Sequence, residues 1–145
     1  MGRIIAGIVV GYLTLALLIF GLFTAAYLAM GASTAFKPGS YEPSATWIVV
    51  SFILGLMAAI VSGLVCAAIA PRTKAPLGLA GVVIVLGLAL AIPTLAGTPT
   101  AVERTADVPN MEAMMKAQTP AWIALLNPFV GAIGVLAGAS LRKQS

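Results

Sequence analysis

The chain holds few groups able to do chemistry. It has four carboxylates (Glu42, Glu103, Asp107 and Glu112), one thiol (Cys66) and no histidine. Without an imidazole there is no histidine general base and no Ser/His/Asp or Cys/His arrangement. Glu103, Asp107 and Glu112 share one stretch with Arg104 and Lys116, which reads as a solvated surface rather than an acid–base pair. Cys66 sits in an apolar run and reads as a small packing residue. A single Cys cannot form an internal disulfide. No glycine-rich phosphate loop follows a strand pattern. These residue types point to a protein that is not an enzyme, and they call for no cofactor.

Two small constellations remain. The first is "MEAMMK", which puts Met111, Met114 and Met115 on one helical face. Thioethers suit Cu(I), and Met30 would be a further donor, but no Cys or His stands with them. The simpler reading is the apolar face of a short amphipathic surface helix. Asp107 or Asn110 would cap it, and Glu112 and Lys116 brace it four residues apart. The second constellation is Asn127-Pro128 in "LLNPFVGAIGVLAGAS", matched by Pro93-Thr94. Pro128 lacks an N–H and clashes with the carbonyl four residues back, at Ala124. Asn127 can bond that freed carbonyl or reach a neighbouring helix. Two prolines at similar depth predict bends that open a shallow vestibule lined by Pro93, Thr94, Asn127 and Pro128.

The elements that must position these residues are membrane spans. Hydrophobic residues make up 61% of the chain and charged residues 8%, against roughly a quarter charged in soluble domains. Mean hydropathy is +1.08. Four segments, at about 4–30, 46–70, 76–96 and 121–141, are apolar and free of charge, and each reaches the roughly 20 residues a spanning helix needs. The expected fold is all-α: a four-helix transmembrane bundle forming a single integral membrane domain over residues 1–145. The first segment is much longer than a signal-peptide core of about 7–15 residues, so a retained span is expected.

Charge then sets orientation. Arg3, Arg72, Lys74, Arg142 and Lys143 lie on one side with no acid, while all four acids lie on the other with Lys37, Arg104 and Lys116. Both termini are therefore expected to be cytoplasmic, with the Met-containing helix in the outer loop between the third and fourth spans. The net charge of +4 follows from this sidedness, and nucleic acid is not an expected partner. Trp47 and Trp122 become outer-interface anchors, with Tyr27 and Tyr41 able to join the belt. The size and short loops suit a multi-pass protein of a bacterial inner membrane.

Small residues let spanning helices approach. The second span carries Ser51, Gly55, Ala59, Gly63 and Ala67 four apart; the first has Gly7 and Gly11, the third Gly81 and Gly87, and the fourth Gly131, Gly134 and Gly138. These stripes predict a tight bundle of antiparallel neighbours joined by short loops, or contact with a second copy or a membrane protein partner. "PSATWIV" and "QTPAWIA" open the second and fourth spans alike. A duplicated hairpin, or two loops meeting the same interface, produces that echo.

The length and four-helix plan resemble small multidrug transporters. That family depends on a carboxylate in its first helix, and the first span here has none, so the likeness stops at layout. The leading expectation is a non-catalytic scaffold or accessory subunit of a membrane assembly, or a self-associating bundle. The alternative is a passive channel or small-solute transporter using the third and fourth helices. A third reading is extracytoplasmic metal binding through the methionines.

Overall fold

Backbone amides in hydrocarbon have only one another to bond, so apolar spans fold as helices. The structure, a computed structural model, describes residues 1–97 and 119–144. Four long helices, α1 (Gly2–Met30), α3 (Ala45–Ile69), α4 (Ala75–Ala96) and α5 (Ala121–Gln144), are each long and apolar enough to cross a membrane. A single turn, α2 (Ala32–Ala35), lies between α1 and α3. Among the described residues there is no strand, only an isolated bridge between Phe36 and Pro43. The Met111, Met114 and Met115 helix lies outside the described residues. α1 and α5 outrun the apolar segments to take in Arg3, Arg142 and Lys143.

Local chemistry sets the helix ends. Gly31 ends α1 at φ 75, a left-handed conformation that costs glycine little. The Ser44 hydroxyl caps α3 by accepting from the Trp47 N–H at 3.1 Å, and it donates to the Thr34 carbonyl at 2.6 Å. At the 70–74 turn, the Thr73 hydroxyl donates to the Ala70 carbonyl at 2.7 Å and accepts from the Ala75 N–H at 3.2 Å. Pro76 sits in the first turn of α4, where a missing N–H costs nothing.

The helices form a ring in the order α1, α3, α5, α4, with α1 facing α5 and α3 facing α4 across it. The expectation that short loops join neighbours therefore fails at the shortest connection. The 70–74 turn joins α3 to α4, which meet at the turn and then diverge. Gly7 of α1 fits into that apex: a Cβ there would lie 3.1 Å from Ala70 and 3.6 Å from Ala75. Loop length limits how far apart two helices start; side-chain packing decides whether they stay together.

α3 and α5 run parallel and touch backbone to backbone. A Cβ on Gly63 would strike the Val135 carbonyl, and one on Gly138 would strike the Ile60 carbonyl. The contact is reciprocal at one offset: Gly138 is 75 residues beyond Gly63, Val135 is 75 beyond Ile60, and Trp122 is 75 beyond Trp47. The echo between "PSATWIV" and "QTPAWIA" falls on the same 75-residue offset of the α3–α5 pair.

Ser62 is the fully buried polar side chain of the core. Its hydroxyl donates to the Gly11 carbonyl of α1 at 2.7 Å, a bond that contributes about 1 kcal/mol in a membrane interior. Beside it, Leu79 and Val135 are fully buried, and a Cβ on Gly11 would come within 2.7 Å of Leu79. The bundle is solid at the 70–74 end.

Candidate functional site

The opposite end is hollow. Because α3 and α4 spread from their turn, a cavity of about 390 Å³ opens on the axis, lined from all four long helices. Its apolar wall includes Leu15, Ile19, Phe52, Val83 and Leu90. Its polar groups among the described residues are Tyr12, Ser51, Thr94, Thr119 and Asn127, and none of the described lining residues is charged. A second space of about 240 Å³ lies above it, under the 31–44 loop. The two share Phe23, Ser51, Thr119 and Asn127, so Ser51 and Asn127 stand at their junction.

Ser51 bonds locally, donating to the Ile48 carbonyl at 2.8 Å. Asn127 has no hydrogen-bond partner among the described residues. Pro128 removes the N–H that would satisfy the Ala124 carbonyl, and Ala124 also lines the cavity. α4 and α5 each continue as one helix through their prolines, Pro93 and Pro128. Pro128 is buried and seated against α4, where a Cβ on Gly87 would lie 2.5 Å from its Cγ.

Of the four residues expected to share a vestibule, Thr94, Asn127 and Pro128 line the cavity, while Pro93 is exposed and does not. On α4 the cavity face runs through Gly87, Leu90, Ala91 and Thr94 at helical spacing, and Pro93 lies off that face. The glycines divide similarly. Gly7, Gly11, Gly63, Gly134 and Gly138 sit at close helix contacts, with Ala59 fully buried against Gly134. Ser51, Gly55 and Gly131 line the cavity. The nearest atom to a Cβ on Gly55 would be Phe23 Cζ at 4.0 Å.

The aromatic residues near the loop also differ from a simple interface belt. Trp122 is 55% exposed on the outside of α5. Trp47 turns inward and meets Phe23 and Tyr27 edge to face at 6.1 and 5.9 Å. Tyr27 and Tyr41 are buried, because the 31–44 loop folds down over them. A Phe36 ring contact and the exposed Lys37–Glu42 ion pair at 3.0 Å complete that cap.

Sequence reasoning missed Ser62 and the cavity residues Phe23 and Phe52. One signal could have found Phe52: it occupies the position 75 residues before Asn127. At that offset α3 carries a phenyl ring where α5 carries an amide, and both line the cavity.

Among the described residues, no group of His, Cys, Asp or Glu is placed to hold a metal ion. No protein family, curated protein or solved structure matches the chain. The four apolar helices fit a multi-pass membrane protein, and their described residues enclose a polar-edged cavity.

Proposed function

We propose that this chain is a non-catalytic integral membrane protein that binds a small molecule in its outer half. The observation that carries this is the axial cavity, walled by every long helix and floored by the packed layer at Gly11, Ser62, Leu79 and Val135. A floor of that kind favours binding, or transport with rearrangement, over passive conduction. The arginines and lysines at the 70–74 end support a reading with both termini in the cytoplasm, and the size and short loops suit a bacterial inner membrane.

The scaffold or accessory-subunit reading stands second. Gly21 and Gly81 have nothing within 4 Å of a Cβ position, which leaves small-residue surface where another helix can approach. Native mass spectrometry of protein extracted gently from its membrane separates the two. A small-molecule adduct present on the natural protein and absent from Gly55→Phe supports the cavity. A heteromeric mass unaffected by Gly55→Phe, with no adduct, overturns it in favour of the scaffold.

Orientation has its own check. In a Cys66→Ser background, Ser40→Cys is expected to react with a membrane-impermeant maleimide on intact cells, and Thr73→Cys only after permeabilisation. The reverse pattern would invert the bundle.

A further inference from the structure

We infer that the cavity opens sideways into the bilayer between α1 and α4, and that the acyl chain of a membrane lipid enters it there. This rests on reading the cavity as a ligand site. Of the four seams of the ring, α1–α4 is the least extensive, and its close contacts lie near the 70–74 turn. There a Cβ on Gly7 would lie 3.6 Å from Ala75, and one on Gly11 would lie 2.7 Å from Leu79. Ala75 and Leu79 are each 68 residues beyond their partners. The same offset carried outward pairs Leu15 with Val83, Ile19 with Gly87 and Phe23 with Ala91. All six of these residues line the cavity. The seam that is closed at its base therefore becomes the cavity's opening higher up.

Leu90 fixes where the opening leads. It lines the cavity and is also 73% exposed, so one side chain meets both the interior and the outside. Leu79 lies three helical turns earlier on the same face of α4, and it is fully buried. That face is sealed against α1 at Leu79 and open at Leu90. Leu90 stands about 22 Å along α4 from Ala75 and about 10 Å short of Gly97, which is inside a hydrocarbon layer roughly 30 Å thick. The phase that meets the opening is therefore acyl chain, not water. An empty pocket beside it would forfeit van der Waals contacts along every wall, and a chain entering from the side restores them. Tyr12 and Thr94 share the cavity wall, so the opening, not the lining, fixes the source of the occupant, and no head group is assigned.

An indole placed on the cavity wall tests this. Phe52 lines the cavity and is half-buried, so Phe52→Trp, with Trp47→Phe and Trp122→Phe, makes a single reporter. The full chain is studied in vesicles of phosphatidylcholine brominated along its acyl chains, and separately in plain vesicles with iodide in the water. Bromine is expected to remove most of the emission and iodide to leave it unchanged. Gly55→Phe, whose side chain enters the cavity, should restore most of the emission lost to bromine. Ala91→Phe, which narrows the opening from α4, should do the same, and Ala91→Leu should do so in part. Ile123→Phe, at the α5 wall of the upper space, should leave the bromine effect intact. Quenching by iodide and not by bromine would give the cavity a water entrance, overturning the lateral route and leaving the ligand site standing. Bromine quenching relieved by Ile123→Phe and not by either Ala91 variant would move the opening away from α1–α4, and so overturn the inference. Quenching by neither, or bromine quenching unchanged in Gly55→Phe, would overturn the cavity reading as well.

Discussion

A single methyl group at Gly63 or Gly138 is expected to destabilise the bundle by about 3 kcal/mol or more, while the same methyl at Gly55 is expected to be neutral to stabilising, by up to about 1 kcal/mol. The difference is what each Cβ meets. At Gly63 it strikes the Val135 carbonyl and at Gly138 the Ile60 carbonyl. Neither obstacle is a flexible side-chain tip, so α3 and α5 must move apart along their whole seam. At Gly55 the same atom enters the cavity. Helix propensity alone favours alanine over glycine at all three positions, by about 1 kcal/mol, so propensity and packing predict opposite signs at Gly63 and Gly138. Equilibrium unfolding in mixed micelles measures the three variants side by side. Gly63→Ala behaving like Gly55→Ala would show that α3 and α5 do not pack backbone to backbone.

Gly55 and Gly63 also show how far the sequence could be read. The four-residue stripe from Ser51 to Ala67 is plain in the sequence, and it suggests one face doing one job. A straight α-helix advances about 400° over four residues, so such a stripe drifts about 40° per step. Over the helix, that drift turns Ser51 and Gly55 to the cavity and Ala59 and Gly63 to α5. The spans themselves were legible because apolar length and the absence of charge suffice. Which helices touch was not, because the 70–74 turn constrains only the last residues of α3 and the first of α4. The inward turn of Tyr27 and Tyr41 was hidden too. It depends on a loop held by Ser44, a Phe36–Pro43 bridge and edge-to-face rings, which no periodicity reveals. Asn127 and Pro128 stood out by type, but their meaning came from their neighbours: Gly87 under the proline ring, and Ser51 and Thr119 sharing both spaces with the amide.

Gly87 and Pro128 are expected to be coupled. Gly87→Ala brings a Cβ to 2.5 Å from Pro128 Cγ and 2.8 Å from its Cβ, and should cost about 1–3 kcal/mol. Pro128→Ala removes Cγ and the rest of the ring. It also returns an N–H to the helix, giving the Ala124 carbonyl its missing donor. The double variant should therefore be more stable than the sum of the two single changes implies, by about 1 kcal/mol. Relief should be incomplete, because an alanine Cβ at 128 still lies in the path of the new methyl. Thermal unfolding of the four proteins closes the cycle, and strict additivity would mean that the ring does not rest on Gly87. The coupling explains why a helix breaker is tolerated here. Proline in a span forfeits one hydrogen bond, but its ring fills a notch that only glycine leaves on the facing helix. α4 and α5 can then lie close at the cavity wall, where the Ala124 carbonyl lacks the N–H that residue 128 would otherwise supply. The same exchange that holds the two helices together supplies the polarity of the site.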